Sequence, residues 1–528
     1  MSILNIDVLS FLVFFPAVAA FIVLILPQNK LLVRWVALLF AAVITGVSVA
    51  VYFAYNATSP GFQFVLQTEW FAVLGASWHI GIDGISASMV LLTGILAPLA
   101  VLVSWEIEDR PNMHLALILF FVTGSMGTFV AMDLMIFFIF YELTLVPMYF
   151  LINQWGGPNR RYAATKFFIY SMGGTLGMLL ATQLIGITSG TFDIVSLAQS
   201  WPTFNGAEGA FLGISASTVK ALAFMGFFVA FCIKVPVWPF HTWLPDAHSE
   251  APTAGSMLLA GVMLKLGAYG FLRLVIPLFP DVWVSPINIL GFMETNWAGI
   301  FAFLAMLGIV LGAFAAFGQT DIKRLVAYSS VNHMGFVVMG LAVAALAYGE
   351  AFVSGSSAVT QDAIFATNGA VLQMFNHGLS SAGMFLLAGA IYHKTHTRDM
   401  TQYGGLWVKA PIYGGIFIFT SMASLGLPGL NGFVSEFLVV RGSWPVYTVL
   451  TLIAMIGLLF TGAYILKGIR GVLHGPFNMS WKNTRLEIET REIIAIAPLM
   501  VLMLITGLAP NWVLSVINST VTMMLNGG

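Results

Sequence analysis

The chain has 528 residues, 59% of them hydrophobic and 8% charged, with 21 Lys and Arg against 22 Asp and Glu. An ordinary soluble domain carries roughly 25% charged residues, so a soluble enzyme, a disordered chain and a coiled coil are excluded. The composition is that of a polytopic membrane protein, and the near-neutral balance leaves no basic patch for nucleic acid.

A spanning helix needs about 20 apolar residues. Continuous apolar runs predict about fourteen spans, near 8–27, 31–55, 84–105, 113–131, 133–152, 162–188, 216–238, 252–275, 297–317, 325–346, 363–392, 411–441, 448–470 and 491–515. The first run (VLSFLVFFPAVAAFIVLIL) follows Asp7 and holds no Lys or Arg, so it reads as a retained span rather than a cleaved signal. All spans are expected to be helices, because an open strand cannot satisfy its backbone in lipid. The runs also lack the short alternation of an outer-membrane barrel. The expected fold is therefore all-α, one membrane domain over residues 1–528.

Charge tests the count. Most Lys and Arg residues, from Lys30 and Arg34 through Arg160, Arg161 and Lys166 to Lys467, Arg470 and Arg491, fall in loops after odd-numbered spans. Loops after even-numbered spans hold carboxylates such as Glu69, Asp193, Glu294 and Glu350. By the positive-inside rule the odd loops are cytoplasmic and both termini face the other side. The location this predicts is a bacterial cytoplasmic membrane.

Two spans contain helix breakers at matching places. The seventh ends FCIKVPVWPFHTW, with Pro236 and Pro239; the twelfth runs SLGLPGLNGFVSEFL, with Gly426, Pro428, Gly429 and Gly432. Proline removes a backbone donor and clashes with the preceding turn. The breaks lie five spans apart, and an odd offset inverts topology. Residues 113–275 and 297–473 are thus candidate inverted five-helix repeats, and transporters place ion sites at such breaks. A break can also merely bend a helix.

Ionisable residues inside spans are the informative ones, at about 2.5–3.5 kcal/mol each on insertion scales. Glu142 lies mid-span in MIFFIFYELTLVPMYFLI. Lys234 precedes the first break, Lys265 lies in LLAGVMLKLGAYGFL, and Glu436 follows the second break. A buried Lys whose carboxylate partner approaches or withdraws can load and release a proton. The plainer alternative is a static buried ion pair that pins helix packing. His333 (YSSVNHMGF) and His377 (QMFNHGLSSAGMF) sit among small residues in apolar spans and are candidate proton relays, since histidine titrates near neutral pH. His241 and His248, in HTWLPDAHSEAPTAG with Asp246 and Glu250, match no zinc spacing and read as a proton entry or a structural loop. His393 and His396 read as solvated loop residues. No metal site is expected.

Cys232 stands alone in an apolar run and cannot hold an iron–sulfur cluster. Gly173, Gly174 and Gly177 lie within a span, lack the Lys-Ser/Thr ending of a phosphate loop, and read as close helix packing. No nucleotide, flavin, haem or quinone motif is present.

The segment KVPVWPFHTWLPDAHSEAPTAGSMLLAGVMLKLGAYG (234–270) closely resembles the proton-translocation segment of the antiporter-like subunits of respiratory complex I, NADH–quinone oxidoreductase. YELTLVPMYFLINQWGG (141–157), RYAATKFFIY (161–170) and DIKRLVAYSSVNHMGF (321–336) resemble the subunit M branch, called subunit 4 in mitochondria. Two features separate it from the sister subunits L and N and from subunits of multisubunit Na⁺/H⁺ antiporters, which are the alternative. The chain ends soon after the fourteenth span, where subunit L adds a lateral helix. It also carries Glu436 where the sisters typically have Lys.

The resemblance implies roles. Glu142 pairs with and modulates Lys234, Lys265 is the central relay, and His333 and His377 lead to Glu436 on the exit side. It implies no cofactor in this chain, with FMN, iron–sulfur clusters and quinone in partner subunits. It also implies that the partners are the other membrane-arm subunits, sister antiporter-like subunits included, and lipid. One departure is the polar stretch 347–362 (AYGEAFVSGSSAVTQD), longer than the family leads one to expect and read as an outer loop.

Overall fold

Several apolar runs begin where a short polar side chain satisfies the first free amides of a helix. Asp7 accepts from the N–H groups of Leu9 and Ser10 at 3.0 Å each and opens the helix Val8–Ile25. Asp83, Asp133, Asn296, Asp321 and Thr360 open Gly84–Val103, Leu134–Leu143, Trp297–Gly318, Ile322–Ser354 and Gln361–Thr395 in the same way. Such a cap stabilises a helix by about 1 kcal/mol. The protein is seen here in a computed structural model that describes residues 7–27, 29–204, 213, 215–289, 293–356 and 359–526.

Twelve helices among the described residues are long and apolar enough to cross a membrane. Two further predicted spans, 363–392 and 411–441, fall on the 35-residue helix Gln361–Thr395 and on the pair Pro411–Leu425 and Asn431–Ser443. The fold is helical throughout its apolar runs. Strand among the described residues is confined to two antiparallel hairpins between spans, Gln63–Phe71 with Ala76–Ile82 and Pro286–Ile289 with Met293–Asn296. Outside lipid an open hairpin edge can be hydrated, so these do not conflict with the helical rule.

Burial sorts the helices. Thr253–Leu278 is enclosed over 94% of its most apolar window, whereas Lys30–Ala54, Thr448–Leu473 and Thr490–Leu508 reach only 33%. The outer helices turn Leu39, Leu180 and Leu459 outward as large exposed apolar side chains. Exposed apolar surface on this scale is a lipid or partner surface. The helix carrying Lys265 is thus the most enclosed of the twelve.

Two expectations about connections are corrected. The stretch 347–362 is mostly helix: Ile322–Ser354 runs 33 residues to a left-handed Gly355, and the next helix starts at Gln361. Residues 357 and 358 lie outside the described residues. The span read as 491–515 ends at Leu508, because Pro510 has no N–H to continue it. A second helix, Asn511–Leu525, then folds back on the bundle. It is tied there by the Gly84 N–H donating to Thr520 Oγ1 (2.9 Å) and the Tyr52 hydroxyl donating to the Trp512 carbonyl (2.8 Å).

The helix interruptions have identifiable causes. Pro147 cannot donate to the Leu143 carbonyl, and the chain divides at Thr144 into Leu134–Leu143 and Leu145–Trp155. Pro236 likewise ends Ala216–Lys234. The carbonyls this frees are taken up locally: Val237 N–H donates to Cys232 O and Trp243 Nε1–H to Ile233 O, both at 2.9 Å. The chain re-enters helix at Trp243–Glu250. In the second break Gly426 adopts φ 82°, and Leu427 N–H returns to Met422 O at 3.1 Å. A Cβ on Gly432 would lie 2.4 Å from the Ala423 carbonyl oxygen, so glycine is required there. Within Thr253–Leu278, Leu259–Met263 and Phe271–Val275 form wide turns with i→i+5 bonding, a feature frequent at functional sites.

Candidate functional site

Four of the predicted residues form a buried line across the middle of the bundle. Lys265 Nζ donates to the carbonyl of Ala260 in the adjoining wide turn, and it lies 2.8 Å from His377 Nδ1. The rings of His377 and His333 follow at 5.8 Å between centroids, inclined by 47°. His333 Nδ1 then meets Glu436 Oε1 at 2.8 Å. All four residues are buried. Helix geometry explains the alignment: Gln373, His377 and Ser381 recur every four residues on one face of Gln361–Thr395.

The line has a polar shell. Gln373 Nε2 donates to Glu436 Oε1 at 3.1 Å, and Ser435 Oγ donates to Gln373 Oε1, which holds the amide in that orientation. Asn376 and Asn431 exchange side-chain to main-chain bonds across the second break at 2.7 and 3.0 Å. Tyr464, from Thr448–Leu473, places its hydroxyl 3.2 Å from His333 Nε2. The carboxylate of Glu436 thus accepts from two donors, which suits its ionised form. An uncompensated charge here would cost several kcal/mol.

Glu142 and Lys234 form a looser site. They interact electrostatically, but no ion pair within 4.0 Å joins them. Lys234 Nζ is 3.4 Å from Thr144 Oγ1 and 4.6 Å from the centre of the Tyr141 ring. Glu142 Oε1 is buried with no hydrogen-bond partner among the described residues. The two groups thus act on each other through space without direct contact, with the Thr175 hydroxyl beside Glu142 and the Thr144 hydroxyl and a ring face beside Lys234.

His241 and His248 separate. His241 packs edge-on to Tyr328, on the side where Lys166, Asp246 and Arg324 are joined at 2.6 and 3.2 Å. His248 is fully buried, stacked on Phe385 at 4.5 Å. Both of its ring nitrogens lack partners among the described residues, and the charges of Lys265 and Lys323 reach it. Asp246 is spent on Lys166 and Arg324, and Glu250 on Arg398 at 3.1 Å, so the four residues do not converge as metal ligands. His393 stays exposed, paired with Glu106 at 3.3 Å.

Sequence reasoning missed three residues. Lys323, at the start of Ile322–Ser354, is buried and donates to the Ala251 carbonyl at 3.0 Å. Gln373 was legible as the residue one turn before His377. Tyr464 carried no signal, because a tyrosine in an apolar run is ordinary.

Comparison with known proteins shows the family and the fold. Residues 131–461 match the family described as NADH:quinone oxidoreductase/Mrp antiporter. The NADH-quinone oxidoreductase subunit M of Rhodobacter capsulatus is 38% identical over 522 residues, covering 98% of this chain and 96% of that one. Its namesake from Escherichia coli K12 is 40% identical over 501 residues, covering 92% and 91%. A chain of respiratory complex I from Thermus thermophilus superposes with TM-score 0.81 at 26% identity, over 99% of this chain and 100% of that one. A chain of the Mrp complex from a Dietzia species shares the fold, with TM-score 0.77 at 22% identity over 97% and 52%.

Proposed function

Because the chain belongs to the NADH:quinone oxidoreductase/Mrp antiporter family, we propose that it is an antiporter-like membrane subunit of an NADH:quinone oxidoreductase, moving protons while partner subunits carry the redox chemistry. The observation that carries this reading is the buried line Lys265, His377, His333, Glu436, a run of proton-exchanging groups where lipid-embedded packing needs none.

The contacts support the following mechanism. Oxidation of NADH and reduction of quinone occur in the partners, which hold the FMN and iron–sulfur clusters. The resulting charge rearrangement changes the separation of Glu142 and Lys234. Lys234 loses carboxylate support when Glu142 withdraws and gives up its proton toward Lys265. Lys265 passes it through His377 and His333 to Glu436, which releases it outward. His248, unpartnered and under the charge of Lys265, supplies Lys265 from the face rich in basic residues, with His241 a more distant candidate. Residues 113–275 and 297–473 serve as inverted repeats, each containing a broken helix, at 235–242 and 426–430. Both termini face the outer side of a bacterial cytoplasmic membrane. The exposed apolar helices meet lipid and sister antiporter-like subunits.

The first test is to tag the chain, extract it in mild detergent and identify what co-purifies. Flavin- and iron–sulfur-bearing partners with NADH oxidation are expected. Recovery of membrane antiporter subunits alone, with sodium-dependent flux, would overturn the assignment.

A further inference from the structure

The two halves of the buried line are joined at their ends but not to each other. With Lys265 as an ammonium, His377 Nδ1 accepts its proton, so a neutral His377 carries its own hydrogen on Nε2. That Nε2 is buried and has no partner among the described residues. On the other side, ionised Glu436 accepts from His333 Nδ1–H, so the lone pair of neutral His333 lies on Nε2. That lone pair is taken by the Tyr464 hydroxyl at 3.2 Å. An unsatisfied donor and an acceptor that a third group occupies are therefore carried on neighbouring rings, whose centres are 5.8 Å apart.

We propose that Tyr464 is the gate of the relay, its hydroxyl closing the one nitrogen of His333 to which His377 can pass a proton. This rests on the proton-relay reading above. With Tyr464 swung aside, one transfer runs the length of the line, directly or through a single water. Lys265 Nζ gives a proton to His377 Nδ1; His377 Nε2–H gives its proton to His333 Nε2; His333 Nδ1–H gives its proton to Glu436 Oε1. Three N–H bonds break, and two N–H bonds and one O–H bond form. Lys265 ends neutral, Glu436 ends protonated, and both imidazoles end in the opposite tautomer. His333 then presents an Nε2–H, which the phenol oxygen can accept. Tyr464 thus closes on either tautomer, reversing its role from donor to acceptor, and a second proton cannot follow until the rings reset.

The test uses the complete complex in proteoliposomes, with Tyr464→Phe, His377→Ala and the double variant, assembly being checked by native electrophoresis. Passive decay of an imposed pH gradient is measured without NADH, then protons pumped per electron with NADH. Tyr464→Phe is expected to raise passive conductance about three- to tenfold, the range set by losing one neutral hydrogen bond, while NADH oxidation persists and the proton yield falls. The double variant is expected to be proton-tight again, because the donor to the opened nitrogen is gone. A Tyr464→Phe complex as tight as the parent with unchanged yield overturns the gate, as does one that loses pumping without leaking. Normal pumping in His377→Ala removes the relay itself, and the gate with it. Should Tyr464→Phe fail to assemble, Tyr464→Met, also without a hydroxyl, gives the same readings.

Discussion

Lys265 and His377, 112 residues apart in sequence, meet at 2.8 Å between Nζ and Nδ1. Neither has a carboxylate as its hydrogen-bond partner, so the pair can carry one positive charge and pass it on. Lys265→Ala is expected to slow proton transfer through this chain about tenfold or more, equivalent to about 1.4 kcal/mol or more on the transfer barrier, and so to lower the proton yield per electron. Quinacrine-type dye quenching in inverted vesicles, set against NADH oxidation, reads it. Unchanged pumping in the assembled variant would remove Lys265 from the path.

Lys234 is held by one 3.4 Å contact and a ring face. Lys234→Ala therefore breaks little structure, and assembly is expected to survive while pumping and coupled NADH oxidation fall sharply. The check is complex yield beside turnover. A well-assembled variant that pumps fully would refute a role for this site.

Glu436 and Glu487 make a matched pair for contrast. Glu436 ends the line, whereas Glu487 accepts from the N–H groups of Ile412 and Tyr413 at 3.1 and 2.8 Å and so caps the helix Pro411–Leu425. Glu436→Gln is expected to impair pumping at normal yield. Glu487→Gln is expected to lower stability by about 0.5–2 kcal/mol, the range for a lost cap, with pumping per assembled complex unchanged. Equal effects on pumping would take Glu436 out of the path.

The second break requires glycine at 432, where a Cβ would meet the Ala423 carbonyl at 2.4 Å. Gly432→Ala is expected to destabilise by about 1–3 kcal/mol, as overpacking does, and to displace Glu436 one turn on. A drop in the thermal unfolding midpoint together with reduced pumping would be the signature. A fully stable, fully active variant would contradict the close approach.

Outside the membrane, Asp193 bonds His79 and caps Ile194–Ser200. Burial works to raise its pKa, but the bonds from His79 and from Ser196 outweigh burial and hold it below the usual carboxylate value. A carboxyl depressed by folding contributes stability at pH values above its unfolded pKa of about 3.9 and loses it as pH falls through the folded value. Acid unfolding below about pH 4 is expected to be less steep in Asp193→Asn. Identical acid profiles would show that the pair contributes nothing.

Much of this protein was decided by composition and local pattern. Continuous apolar runs had to become helices, because lipid offers no partner to a free amide. Pro236 and Gly426 had to interrupt them, because a missing donor and a left-handed φ are local properties of the chain. Glu142, Lys234, Lys265, His333, His377 and Glu436 stood out because a charge or an imidazole in hydrocarbon is costly wherever it packs. What touches what was not local. That Lys265 faces His377 while Lys234 is left with Thr144 and a tyrosine ring depends on helix rotation and on the wide turn at Leu259–Met263. That His248 comes within reach of the charge of Lys265 while His241 does not depends on how Trp243–Glu250 packs. Tyr464 and Lys323 became visible only in three dimensions, since neither an aromatic in an apolar run nor a basic residue at a helix start departs from expectation until its neighbours are known.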